Sequence, residues 1–461
     1  MTKTRDAAGR PSPADFTVDS AAVFRIALPM TLAFVTTPLL GVVDTAVIGQ
    51  LGDAALIGGI AIGALVFDIL FSTFNFLRSG TTALTAQALG AGDAETGKAV
   101  LLRALMIAAG CGLAMILARD PLIDVGLWFM APSGAVAEAT RAYYDVRVFS
   151  APFALVNYAI LGWVIGRGQA GIGLALQILL NGVNITLSIV LGLGLGWGLA
   201  GVALGTVIGE VVAAVVGVLV CLRLGRGGVW PPFRVVTERA AMLRMFAVNR
   251  DIMIRTFALL FGFSVFTRVG AGLGDVALAA NAVLMNFFLV GGYFLDGLAS
   301  AAEQLAGRAV GAGQRAAFVA TVRLTMIWSF VLAGAASLFF FVFGGLIIDL
   351  MTTAPEVRAA ARAFLPYAAT TPLAGVLAFQ MDGVFIGATW SRDMRNMMLL
   401  SLAAYLAVLM PASAVLGNHG LWLALLAFLM FRGFFLLWRV PARTDETFGP
   451  ALPDPVTGDA R

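Results

Sequence analysis

Six acidic residues, Asp44, Asp68, Glu210, Asp296, Glu303 and Asp382, stand in stretches of this 461-residue chain that are otherwise strongly apolar. A carboxylate at the centre of a helix in hydrocarbon costs about 2.5–3.5 kcal/mol, so it faces a cavity or a partner rather than lipid. The chemistry open to an isolated interior carboxylate is exchange of a proton or a cation. Asp44 is the clearest case. It ends a long apolar approach in PLLGVVDTAVIGQLG, with Pro29 and Pro38 upstream. Such prolines free backbone carbonyls and let a membrane helix bend. The alternative for Asp44 is a structural carboxylate satisfied by a neighbouring helix; its position in the membrane favours a functional one.

Further polar residues could serve that acid. Asn181, Asn184 and Ser188 are spaced three and four apart, so they share one helical face. Thr206 lies in the next apolar stretch, with Glu210 one turn later. Stripes of this kind also hold membrane helices together with no role in transport. In the second half, Asp296 and Glu303 are seven residues apart and share a face. Glu303 falls close to a helix end, where a solvated or gating role competes with proton transfer. Asp382 sits in FQMDGVFIGATW, while Asp68 and Arg255 fit an ion pair within a bundle as well as a functional site. Soluble-enzyme chemistry finds no footing. Cys111 and Cys221 have no metal spacing, His419 stands alone, and there is no GxxxxGK[ST] for ATP. The GLGLGWG run at 192–198 lacks a preceding strand and reads as a turn between spans, so it is no dinucleotide fingerprint.

The elements that position these residues follow from composition. The chain is 60% hydrophobic and 12% charged; a soluble domain carries about 25% charged residues. It belongs in a bilayer. Apolar stretches of spanning length lie near 26–48, 56–77, 99–118, 143–166, 172–195 and 199–222, then near 252–268, 276–298, 319–343, 363–388, 397–416 and 420–438. That predicts an all-α integral membrane protein of twelve transmembrane helices. Its parts are a tail over 1–22, an N-lobe over 23–222, a basic linker over 223–251 with an amphipathic segment on the membrane surface, a C-lobe over 252–440 and a tail over 441–461. The polar start has no apolar core or cleavage site of a signal peptide. Lys and Arg number roughly 20 in the termini and even-numbered loops against about 5 in the odd-numbered ones, which puts both termini in the cytoplasm. The net charge of +4 therefore reports loop orientation rather than affinity for nucleic acid.

The halves repeat. LGDAAL at 51–56 recurs as LGDVAL at 273–278, ALGAG at 88–92 as AVGAG at 309–313, and Pro152 with Gly162 and Gly166 as Pro372 with Gly383 and Gly387. One common interval relates all three. Six spans per half make the repeats parallel, two six-helix bundles related by a pseudo-twofold axis along the membrane normal with a substrate path between them. Gly201, Gly205 and Gly209 form a ladder for close helix packing.

The run LPMTLAFVTTPLLGVVDTAVIGQLGDAALIGGIAIG resembles the start of the multidrug and toxic compound extrusion (MATE) family. NRDIMIRT, NAVLM, YFLDGLASAAEQLAGRAVGAG, MDGVFIGATWSRDMRN and LGNHGLWLALLAFLMFRG are similar to its DinF (DNA-damage-inducible protein F) branch. The resemblance spans about Phe24 to Trp438. It implies two six-helix lobes around a central cavity and secondary active efflux of hydrophobic, often cationic compounds, by a monomer in a bacterial inner membrane, with no cofactor and no enzymatic activity. By the same resemblance Asp44 is the proton-binding residue, and Asn184 and Thr206 belong to its hydrogen-bonding network. Ser188 falls where some relatives carry a second aspartate. Asp382 matches a tenth-helix acid implicated in cation binding in another branch, but no carboxylate lies between Arg255 and Arg268, where that branch has a glutamate. Protons are therefore expected as the coupling ion ahead of sodium, with Asp296 and Asp382 as acids of a C-lobe cavity. The alternatives are a sodium-coupled antiporter of the same fold and a lipid-precursor flippase of the same superfamily.

Overall fold

The computed structural model describes residues 16–50 and 53–450. Twelve helices in it are long and apolar enough to cross a membrane. In chain order these are α1 (Ser20–Gly49), α2 (Ala55–Gly90), α3 (Ala94–Leu117), α4 (Gly134–Gly166), α5 (Ala170–Gly194) and α6 (Gly198–Leu224). The second half supplies α7 (Arg239–Ala271), α8 (Asp275–Gly311), α9 (Arg315–Met351), α10 (Pro355–Gly387), α11 (Ser391–Leu416) and α12 (Asn418–Phe448). The all-helical, twelve-span architecture read from hydropathy is the one observed.

Three boundaries differ from the sequence reading. A short helix, Arg119–Met130, precedes α4, which starts well before residue 143. Residues 239–251 are not a separate segment: α7 continues through them unbroken. Asp251 anchors that extension by pairing with Arg395 at 2.7 Å and Arg250 at 3.1 Å. What remains of the linker is strapped to α3, where Lys98 donates to the Gly228 carbonyl (2.7 Å) and Arg103 to those of Val235 and Val236 (2.7 and 2.8 Å). Likewise α12 runs past residue 440, its last turns held by Arg443 on Asp393 (2.5 Å) and by Asp445 on Arg315 (2.7 Å). The tails at 1–15 and 451–461, and Leu51 and Gly52 of the first repeat, lie outside the described residues.

The sequence repeats prove to be helix caps. Asp53 caps α2 by accepting from the Ala55 N–H at 2.8 Å. Its counterpart Asp275 is the first residue of α8. Asp53 thereby satisfies an orphan N–H, whereas Asp275 makes no capping hydrogen bond and complements the helix dipole through its charge. Gly92 and Gly313 both take left-handed backbone, φ +69° and +66°, and end α2 and α8 with the same hydrogen bonds, Asp93 N–H to Ala88 C=O and Gln314 N–H to Ala309 C=O. The match continues at Gly168 and Thr389, which end α4 and α10 in left-handed backbone. Equivalent turns at equivalent places give the two halves a shared frame.

The bundles meet where α8 packs on α1 and on the second half of α2. Glycines make the contact possible. A Cβ on Gly297 would lie 1.9 Å from Thr31 Oγ1, one on Gly90 would lie 2.0 Å from the Arg308 carbonyl oxygen, and one on Gly311 would lie 1.9 Å from that of Gln87. Gln87 also donates from Nε2 to the Gly387 carbonyl at 3.0 Å, bridging α2 to α10. These contacts close the bundles against each other at the end that carries the linker. Asp44 stands 13 residues beyond Thr31, about 20 Å further along α1.

Gly311→Val forces this closed end apart, because backbone cannot yield as a flexible side chain can. With Cys111 and Cys221 replaced, a cysteine at buried Ala86 is expected to react several-fold faster with a membrane-impermeant thiol reagent in Gly311→Val than in the parent. Equal rates would show that the glycine contacts do not hold the end shut.

Candidate functional site

Asp44 is buried, 8% exposed, and receives one side-chain hydrogen bond among the described residues, from Ser188 Oγ to Oδ1 at 2.9 Å. Ser188 begins a π-helical stretch, Ser188–Gly194, that ends α5. A π-bulge shifts the side-chain register, and such bulges recur at functional sites. Ser188 Oγ also lies 3.5 Å from Asn184 Oδ1, and Asn184 Nδ2 donates to Thr206 Oγ1 at 2.9 Å. Asp44, Ser188, Asn184 and Thr206 thus form one chain across α1, α5 and α6, with all four side chains buried.

The packing ladder makes this chain possible. A Cβ on Gly205 would lie 2.9 Å from the Ser188 backbone nitrogen, and one on Gly209 would lie 3.2 Å from Asn184 Cβ. The glycines bring α6 onto the polar stripe of α5, so Thr206 reaches Asn184. Asn181 belongs elsewhere. It accepts from Gln177 (3.0 Å) and donates to Thr36 Oγ1 (2.9 Å), tying α5 to α1 near Pro38. The expected grouping of Asn181 with the other three holds for helix and face, but no hydrogen bond links it to the chain.

The remaining interior acids divide. Glu210 accepts from Asn157 Nδ2 at 2.6 Å. Glu303 lies 3.8 Å from Arg78 of α2, an ion pair between the two bundles. Asp296 and Asp68 have no side-chain hydrogen bond or ion pair among the described residues. Asp382 is committed: its Oδ2 accepts from Arg255 of α7 and, at 2.8 Å, from Arg432 of α12. Arg432 is 3% exposed and lies over the Phe428 ring at 5.8 Å. Two guanidiniums on one carboxylate leave positive charge where a cation would have to bind. Asp296 and Asp382, expected together as acids of a C-lobe cavity, thus differ in their partners: among the described residues Asp296 has no side-chain hydrogen bond or ion pair and Asp382 has two arginines.

The MatE family model matches the chain twice, over residues 29–190 and 252–411, once in each bundle. DNA damage-inducible protein F of Escherichia coli (strain K12) is 37% identical over 92% of this chain and 93% of its own. This chain belongs to the MatE family. Probable multidrug resistance protein NorM of Deinococcus radiodurans is 28% identical over 93% of this chain and 96% of its own. A crystal structure of MATE in the bent conformation superposes with a TM-score of 0.85 at 18% identity, covering 94% of this chain and all of that one. The chain is a multi-pass membrane protein with the fold of MATE transporters.

Within this MatE protein, sequence reasoning missed Arg432 and Arg147. Arg432 had a usable signal, a lone cation inside LALLAFLMFRGFFLLW. Arg147 had less, because YYDVRV fell at what looked like a helix start, where an arginine can extend to water.

Removing one member of a buried ion pair strands its partner and costs about 3–5 kcal/mol. Arg432→Met is expected to lower the melting temperature of the purified protein by several degrees. Asp382→Asn is expected to lower it further, because two guanidiniums then lack a counter-charge. An Asp382→Asn protein as stable as its parent would show that the triad is solvated rather than buried.

Proposed function

We propose that this protein is a secondary active multidrug efflux transporter that exports hydrophobic, often cationic compounds in exchange for protons. The two bundles alternate in exposing a site between them, and Asp44 carries the proton. The observation that supports this reading best is the hydrogen-bond chain on Asp44. Ser188 has one hydroxyl proton, and while Asp44 is ionised that proton points at its Oδ1. A protonated Asp44 has a proton of its own to place and no longer needs this donor. Ser188 then turns its hydrogen to Asn184 Oδ1, 3.5 Å away, and accepts from Asp44 instead. One proton thereby reverses the direction of the link between α1 and α5.

That reversal falls on a helix with Pro29 and Pro38 inside it. The α1 helix also carries Ala27 and Thr31 against Gly297 of α8, so a bend in it acts on the contact between bundles. The energy required is modest. A coupling of 1–3 kcal/mol changes affinity by about 5–150-fold, and a proton gradient of one pH unit supplies about 1.4 kcal/mol per proton. Proton uptake at the outer face favours release of substrate, and proton loss to the cytoplasm resets the protein.

Protons are preferred to sodium because Asp382 is held by two arginines, whereas a hard cation needs several oxygen ligands and net negative charge. The arginine distribution supports a reading with the linker and both termini on the cytoplasmic side of a bacterial inner membrane. The protein is read as a monomer acting on small molecules from within the bilayer.

Asp44→Asn keeps the shape of the acid and removes its proton exchange. At wild-type expression it is expected to bind dye but to lose efflux from vesicles energised by a proton gradient, by at least tenfold. An Asp44→Asn protein that still drives dye outward, with a wild-type response to a proton uncoupler, would refute the reading.

A further inference from the structure

Arg147 stands outside the hydrogen-bond chain and has an unusual setting. It lies on α4, where its Nη1 donates to the Tyr143 hydroxyl at 2.8 Å. The guanidinium carbon is 4.6 Å from the centre of the Phe67 ring and 5.5 Å from that of Tyr143. Both rings are buried, at 0% and 1% exposure. Arg147 Nε is shut off from solvent without an acceptor. Among the described residues no carboxylate stands within salt-bridge distance of this guanidinium.

Its two aromatic supports, Phe67 and Tyr143, pack in one cluster with Val43 and Val47, which flank Asp44 on α1. Asp44 of α1, Asp68 of α2 and Glu210 of α6 all feel its charge, as do Tyr143 and Tyr158 of its own helix. From α2, Arg78 is the other cation that acts on Tyr158, and it is engaged by Glu303. From α5 the groups in the chain are the neutral Ser188 and Asn184. Among the described residues, Arg147 thus acts on three acids of the N-lobe and is bonded to none of them. A guanidinium locked onto Asp44 would keep it ionised at any working pH. A lobe with no cation at all would offer the ionised acid no long-range partner. A charge held back on aromatic faces by a phenol does neither, and biases the equilibrium without fixing it.

We propose that Arg147 is a positioning residue for proton exchange: parked on Phe67 and Tyr143, it sets the pH at which Asp44 gains and loses its proton. This rests on the reading of Asp44 given above and goes beyond it, because it assigns the working pH of the transporter to a residue that touches neither Asp44 nor its hydrogen-bond chain. Tyr143 acts as the tether. With its hydroxyl gone, the guanidinium is free to move toward the acids.

The test is the pH profile of dye efflux in proteoliposomes. Arg147→Met removes the charge, so Asp44 keeps its proton to higher pH. The profile midpoint is expected to move alkaline by about one unit, a tenfold change in proton affinity. Arg147→Lys keeps the charge and is expected to restore most of the wild-type midpoint. Tyr143→Phe keeps the arginine and releases it, and its midpoint is expected to move acid. Loss of packing alone would not move two midpoints in opposite directions. If Arg147→Met does not fold, Arg147→Lys and Tyr143→Phe still decide the matter. A wild-type midpoint in Arg147→Met, or in Tyr143→Phe, overturns the proposal. Asp44→Asn separates the two failures. If it retains a wild-type profile, the transport reading falls. If its profile is flat while the Arg147→Met midpoint is unmoved, only the role of Arg147 falls.

Discussion

An ionised carboxylate inside a membrane needs donors, and among the described residues Asp44 has a single side-chain donor, the hydroxyl of Ser188. That scarcity shapes what surrounds it. A carboxylate bound by several N–H groups would be fixed in its charged form. With one hydroxyl that has an alternative acceptor in Asn184, both protonation states can be satisfied. The hydrogen bond from Asn184 to Thr206 then holds the amide with its oxygen toward Ser188, so the alternative acceptor stays in place. The function assigned to this protein depends on that two-way hydroxyl.

Backbone placement makes the arrangement possible. Gly205 and Gly209 let α6 approach α5 closely enough for Thr206 to meet Asn184, and Gly297 lets α8 lie against α1. Small residues are common at membrane helix contacts because lipid gives helices no hydrophobic reason to associate. Here the same feature also places polar groups. The ladder that looks like packing delivers one end of the polar chain, and the contacts at Gly90, Gly297 and Gly311 define the closed end of the protein. The two bundles are alike in their caps but not in their interiors. Among the described residues, the N-lobe holds Asp44, Asp68 and Glu210 under the charge of Arg147, which pairs with none of them, while in the C-lobe Asp382 is shared between Arg255 and Arg432.

Much of this was legible in the sequence. Hydropathy marks twelve spans, the repeats mark two equivalent halves, and the spacing of Asn184 and Ser188 with Asp44 in hydrocarbon marks the polar chain. Matching repeats were legible as symmetry but not as caps, because a cap depends on φ and on where an N–H points. Asn181 shares the face of Asn184 yet bonds to Thr36, since one turn of α5 carries it away from Asp44 and toward the start of α1. The two arginines were harder to read. The partner of Arg432 lies 50 residues away on another helix, and the aromatic cradle of Arg147 combines a neighbour one turn away with a ring from α2. Periodicity within one helix cannot report contacts of that kind.

Coupling between proton and substrate at Asp44 is open to direct measurement on purified protein. A cationic dye added in weakly buffered detergent solution should displace about one proton per molecule from the wild type, since linkage makes binding and proton release reciprocal. The Asp44→Asn protein should bind the dye and release none. Equal proton release from both proteins, or dye binding by the wild type with no release at any pH, would contradict the account.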